Sequence, residues 1–192
     1  MKKVLIILAV IVVVILVWGF STYNGLVNKQ EAMTQAWGQV ENVYQRRADL
    51  VPNLVAVVKN YAEYEQGTII AVTEARAKAA STTVNRETFD EGELEAFDAA
   101  QQELGKSMNR LLVSIENYPD LKAGENYLAL QAQQEGCENR IQTERERFNE
   151  AAKNYNASLR RFPTNLIAKM FGFEKRAYFE ADAGADKAPE TF

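Results

Sequence analysis

VLIILAVIVVVILVWGFSTYNGLVNKQEAMTQAWGQVENVY, residues Val4 to Tyr44, is the stretch on which the fold turns. Val4 to Phe20 holds no charge and no strong polar group. As helix this run covers about 26 Å, and continued to Tyr23 about 30 Å, one hydrocarbon core. Trp18 and Tyr23 fall where an interfacial aromatic belt belongs, and Lys2 and Lys3 precede the run. A cleaved signal peptide shares the basic start and apolar centre. This run is longer than the ~7–15 apolar residues usual there, and Gly19-Phe20-Ser21 is a poor cleavage site. No cysteine lies near it for lipoprotein processing. An uncleaved anchor is expected. Lys2 and Lys3 before the span against Lys29 after it place the N-terminus in the cytoplasm and the rest outside.

Past the span, Leu26, Met33, Trp37, Val40 and Tyr44 keep a helical spacing, and Gly25 and Gly38 are single, tolerable glycines. The membrane helix is therefore expected to run on into the first helix outside. Asp49 and Pro52 predict a break, because proline disfavours helix in the residue before it and suits the first turn of a new helix. A second helix is expected over Asn53–Ala80, with Leu54, Val58, Tyr61, Ile69, Val72 and Ala79 as its stripe. Ser81–Gly92 reads as a polar connection. A third helix over Glu93–Asn117 carries Leu94, Phe97, Leu104, Met108, Leu111 and Ile115 on one face. A fourth over Glu125–Arg161 carries Tyr127, Leu130, Cys137, Ile141, Phe148, Tyr155, Leu159 and Phe162. Thr164–Phe179, rich in aromatic residues, reads as a segment packed back onto the helices. No β pattern appears. The expected fold is all-α: an N-terminal single transmembrane helix (1–23) leading into an antiparallel four-helix bundle with long helices (24–180), then a disordered tail (181–192).

Composition narrows the chemistry. The 192 residues include one cysteine and no histidine. That excludes imidazole-based triads, histidine metal sites, an internal disulfide and a CxxC pair. There is no calcium loop and no glycine-rich phosphate loop. Cys137 lies on the apolar stripe and reads as a small core residue. No catalytic, metal or cofactor residues are expected, and no cofactor. The net charge is −4, falling to about −6 without Lys2 and Lys3, which argues against nucleic acid. It also suggests a body without a polybasic patch, tied to the membrane by its span alone.

Two polar clusters remain. Arg46, Arg47, Asp49, Pro52 and Asn53 gather at the expected corner between helices. Asp49 and Asn53 can cap a helix start, and the arginines can pair with carboxylates across the corner. The alternative is a small-ligand or hydrolytic site for a carboxylate or phosphate at Arg46, Arg47 and Asp49. Glu138, Asn139, Arg145, Asn149, Tyr155 and Asn156 flank the stripe of the fourth helix. Interhelical hydrogen bonds that fix register and a solvated helix face are both compatible with their spacing.

Together these clusters resemble the LemA family of bacterial membrane-anchored helical proteins. The resemblance begins at Tyr23-Asn24-Gly25-Leu26-Val27 and Ala36-Trp37. Its most specific run is Arg46-Arg47-Ala48-Asp49-Leu50-Val51-Pro52-Asn53-Leu54, followed by Val58-Lys59-Asn60-Tyr61, Glu65 and Ala75-Arg76. Tyr118 to Ala123, Glu138-Asn139, Ile141, Arg145, Asn149, Tyr155-Asn156, Phe162-Pro163, Asn165, Gly172-Phe173 and Tyr178-Phe179 complete it. Phe148 stands where the family usually has tyrosine, and Glu144 where it has alanine; a lost hydroxyl bond at 148 is the expected consequence. The resemblance implies a single-pass protein of the bacterial inner membrane with a four-helix bundle; it does not imply an enzyme, and none is expected. It further implies a scaffold or adaptor for other membrane proteins, a membrane metalloprotease among them. Homo-oligomerisation stays open.

Overall fold

The computed structural model describes residues 2–59 and 66–180, and helix makes up 84% of them, with no strand. The elements are α1 (Lys2–Lys59), α2 (Gln66–Ser81), α3 (Glu91–Ile115), α4 (Pro119–Lys122), α5 (Glu125–Arg160) and α6 (Thr164–Met170). The expected start at Asn53 and the expected tail at 181–192 meet this description differently. The tail lies outside the described residues, as do Asn60, Tyr61 and Glu65. The start at Asn53 is corrected.

α1 is one helix of 58 residues, about 87 Å long. Its first part is long and apolar enough to cross a membrane, with a mean hydropathy of 3.2 over 18 residues, none buried against protein. From Leu26 onward its inner face is buried at Met33, Trp37, Val40, Tyr44, Val51, Leu54 and Val58. The apolar run and the helix that follows it are thus continuous, as the spacing predicts.

The predicted break at Asp49–Pro52 does not occur, because Pro52 sits inside α1. Proline lacks the N–H that would bond the carbonyl four residues back, here Ala48. Arg76 on α2 supplies the missing donor: its Nε donates to the Ala48 carbonyl at 2.8 Å. Leu54 and Val58 therefore belong to α1, and α2 contributes Val72, Ala75 and Ala79 to the core.

α1 and α5 lie antiparallel. Lys29 donates to Ser158 near one end of the pair, and Arg47 meets Glu138 near the other. α2 and α3 also lie antiparallel, with Lys78 against Glu103 at 2.6 Å. Asp90 caps α3, its Oδ1 accepting from Gly92 N at 2.9 Å and Glu93 N at 3.3 Å. Phe162, expected on the stripe of the fourth helix, instead lies just past the end of α5 and is 80% exposed.

Aromatic rings fill the centre of the core. Trp37 lies 5.2 Å from Phe97 and from Phe148, 5.7 Å from Phe89 and 5.8 Å from Phe179, within the range of favourable ring pairs. Two of these rings come from outside the long helices. Phe89 belongs to the connection read as polar, yet it is buried, as is Val84. Its backbone takes φ 47°, a left-handed conformation unfavourable for a bulky residue. Burial of the ring offsets that cost. Phe148 has apolar rings around it rather than a polar partner, which suits the ring without a hydroxyl.

Candidate functional site

Arg47 is the centre of the polar structure. It stands on the inner face of α1 and is 4% exposed. A buried guanidinium is costly unless it is paired and hydrogen-bonded. Its Nη2 donates to the Gln101 carbonyl at 2.6 Å and to Gln101 Oε1 at 2.9 Å. Its Nη1 faces both carboxylate oxygens of Glu138, at 3.2 and 3.4 Å. The Tyr44 ring lies 5.0 Å from the guanidinium carbon. Gln101 in turn reaches the Ala79 carbonyl at 3.5 Å. One arginine thus joins α1, α3 and α5, and its partner extends the contact to α2. Gly105 makes room for it, since a Cβ there would lie 3.3 Å from Arg47 Nη1.

Arg145 on α5 builds a second junction. It grips Asp98 on α3 with two hydrogen bonds, at 2.7 and 3.3 Å, a planar fork on a carboxylate. Nη1 also donates to the Tyr44 hydroxyl at 3.4 Å, and the guanidinium lies 4.4 Å from the centre of the Phe179 ring. Burial pushes the Tyr44 phenol up, against the opposing pull of Arg145 and Arg47, so Tyr44 stays neutral.

Asn149 and Asn156 perform a third task. Asn149 donates to the Phe179 carbonyl and accepts from the Phe179 N–H, both at 2.8 Å. Asn156 donates to the Arg176 carbonyl at 2.8 Å and accepts from its N–H at 2.9 Å. Seven residues of helix rise about 10.5 Å, and three extended residues span about 10 Å. The two amides therefore match alternate ends of one extended backbone segment lying antiparallel to α5. The segment that follows α6 is packed back onto the helices, as expected, and these two side chains hold it there.

The remaining predicted positions are dispersed. Arg46, Pro52, Asn53 and Asn139 are exposed. Asp49 is exposed too, accepting from Gln45 at 2.9 Å and standing 4.0 Å from Arg76. Neither it nor Asn53 caps a helix start, because none exists there. Arg46 and Arg47 are neighbours in sequence, but one faces solvent and the other the core. Tyr155 is fully buried; burial raises its phenol, opposed by Arg176. Burial also pushes the Cys137 thiol up, and Glu138 adds to this, against Arg47 and Arg46. The thiol donates to the Val43 carbonyl at 3.5 Å, as a core cysteine does. Two surface clefts, of about 570 and 630 Å³, lie between α2 and α3 and beside Phe89–Glu91 and the C-terminal segment. Neither is lined by Arg46, Arg47 or Asp49. Among the described residues no cluster of acidic and cysteine side chains could hold a metal ion.

Gln101 and Asp98 escaped the sequence reading, and Arg76 entered it only as part of the family motif, without a structural role. For Gln101 a signal existed: it fills the seven-residue gap between Phe97 and Leu104, a polar residue on an apolar stripe. For Arg76 the motif gave the residue but not its partner, since the acceptor is a backbone carbonyl 28 residues away.

The LemA family pattern matches residues 36–191. Magnetosome protein MamQ 2 of Paramagnetospirillum magneticum is 25% identical, over 85% of this chain and 66% of that protein. Magnetosome protein MamQ of Magnetospirillum gryphiswaldense is 24% identical with the same coverage. Protein LemA of Metamycoplasma hominis is 23% identical, over 82% of this chain and 68% of its own length. The chain thus spans about two thirds of the length of these relatives.

Proposed function

The chain belongs to the LemA family, and on that premise we propose that it is a non-enzymatic, membrane-anchored scaffold of the bacterial cell envelope. In this reading α1 spans the inner membrane with its N-terminus in the cytoplasm. The long helices form an antiparallel four-helix bundle outside, and its surface receives other membrane proteins. The partner suggested by the resemblance is a membrane metalloprotease.

The observation that carries the reading is the direction of the motif's charge. Arg47, Arg145, Asn149 and Asn156 turn to partners within the same chain and draw helices and the C-terminal segment together. Such an arrangement stiffens a body that presents helix faces. The relatives' names state no reaction. The alternative ligand site at Arg46, Arg47 and Asp49 would need Arg47 to be reachable, and it is 4% exposed.

Crosslinking of the full chain in its own membrane, followed by mass spectrometry, tests the proposal. Recovery of the same membrane proteins on exposed positions of α2, α3 and α5 is expected. Crosslinks to copies of this chain alone would overturn it. A cytoplasmic signal from a reporter fused after Phe192 would overturn the orientation.

A further inference from the structure

An apolar patch outside the span lies against the end of the span. Leu166 and Met170, four residues apart on α6, are exposed, as are Phe162 just before the helix and Phe171 just after it. The opposite face of α6, Ile167 and Ala168, is buried. Ile167 Cδ1 lies 3.9 Å from where a side chain at Gly19 would begin. Tyr23 packs its ring 4.9 Å from Phe171 and 5.6 Å from Phe173. Gly19 and Tyr23 bracket the point where the apolar run of α1 ends. α6 therefore lies beside the end of the apolar run.

The charge around this patch differs from that of the whole chain. From Arg160 to Lys175 there are four basic residues, Arg160, Arg161, Lys169 and Lys175, against Glu174 alone, in a chain of net −4. All four are exposed. An apolar face flanked by cations, set level with an aromatic belt, is the composition of an element lying in the headgroup region of a bilayer.

We propose that α6 and its flanks, Arg160 to Lys175, are a second membrane contact. Phe162, Leu166, Met170 and Phe171 enter the outer edge of the acyl region beside the span, and the basic residues meet anionic headgroups. The proposal rests on the reading of α1 as a membrane anchor. It replaces the expectation of a body tied by its span alone. With two points of attachment about one helix width apart, the bundle stands at a fixed tilt and rotation instead of swivelling on one helix.

The test uses the full chain, in a Cys137→Ala background, reconstituted into bilayers of phosphatidylethanolamine and phosphatidylglycerol. Nitroxide labels are placed by Leu166→Cys, by Met170→Cys as a second variant on the same face, by Val12→Cys in the span and by Gln133→Cys on exposed α5. The ratio of collisions with oxygen to collisions with a water-soluble nickel complex reports lipid contact. Leu166 and Met170 are expected to show a ratio several-fold above that of Gln133. A ratio equal to that of Gln133 would overturn the proposal. Exclusion of both reagents with dipolar broadening between labels would also overturn it, by assigning the patch to a second copy. A water-exposed Val12 would instead overturn the anchor reading on which the proposal stands.

Discussion

Arg76 Nε lies 2.8 Å from the Ala48 carbonyl oxygen, the acceptor that Pro52 deprives of its helical donor. A helix that local rules would end is thereby kept whole by a side chain from the next helix. Replacing Arg76 by Ala removes this bond and should cost about 1–3 kcal/mol, as for a buried acceptor left unmade. In a Pro52→Ala background the backbone N–H returns and the same replacement should cost clearly less. Urea unfolding of the four proteins of this cycle reads the coupling. Strictly additive effects would show that Arg76 does not serve the Ala48 carbonyl.

Arg47→Ala leaves the buried Gln101 acceptors without their donor and Glu138 without its partner, and should destabilise by about 1–3 kcal/mol, the cost of an unsatisfied buried polar group. Arg47→Lys should recover only part of this, because one ammonium does not reproduce a planar fork on two partners. Glu138→Gln should cost less than either, since the Glu138 side chain is 43% exposed and screened. Thermal midpoints of the three variants give the order, and a Lys variant as stable as the native chain would contradict it.

Asn149→Ala and Asn156→Ala together should release the segment around Arg176 and Phe179. Trypsin should then cut after Lys175 and Arg176 many-fold faster, with the helices still folded by circular dichroism. Trp37 emission should shift as Phe179 leaves its ring. Unchanged cleavage would mean that Arg145 and the buried Phe179 ring suffice to hold the segment.

Stability should fall in alkali. Tyr44 and Tyr155, ordinarily near 10.0, and Cys137, ordinarily near 9.0, are all raised by burial in the folded chain. Each keeps its proton longer folded than unfolded. Its contribution is therefore fully present below the unfolded value and is lost as pH rises from there through the folded one. The unfolding midpoint should begin to drop above about pH 9, and Cys137→Ala should remove the earliest part of that drop. A charged thiol reagent should react slowly with Cys137 until the protein unfolds.

Much of the architecture is local and was legible as such. α3 and α5 follow from apolar spacing, α5 to within one residue and α3 two residues earlier at each end than expected because Asp90 caps it, and the continuity of α1 through Gly25 follows from the lack of a stop. Three features were not legible, each for a physical reason. Pro52 failed as a stop because its missing bond is made from α2. Phe89 looked like a loop residue because its ring packs on Trp37 and Phe148, neither near it in sequence. The corner of Arg46, Arg47 and Asp49 came apart because successive helical residues point about 100° from one another.

The sequence by itself determined the anchor-length apolar run, the helical content, the lack of histidine chemistry and the family, since composition and period are properties of the chain alone. Tertiary structure decided which polar groups face inward, and where α6 lies. A buried Arg47 is tolerable only once Gln101 and Glu138 arrive from two other helices. The placement of α6 beside Gly19 and Tyr23 depends on α5 running back antiparallel to α1. Both are meetings of residues far apart in the chain, and no local rule of propensity or spacing records the free energy of such a meeting.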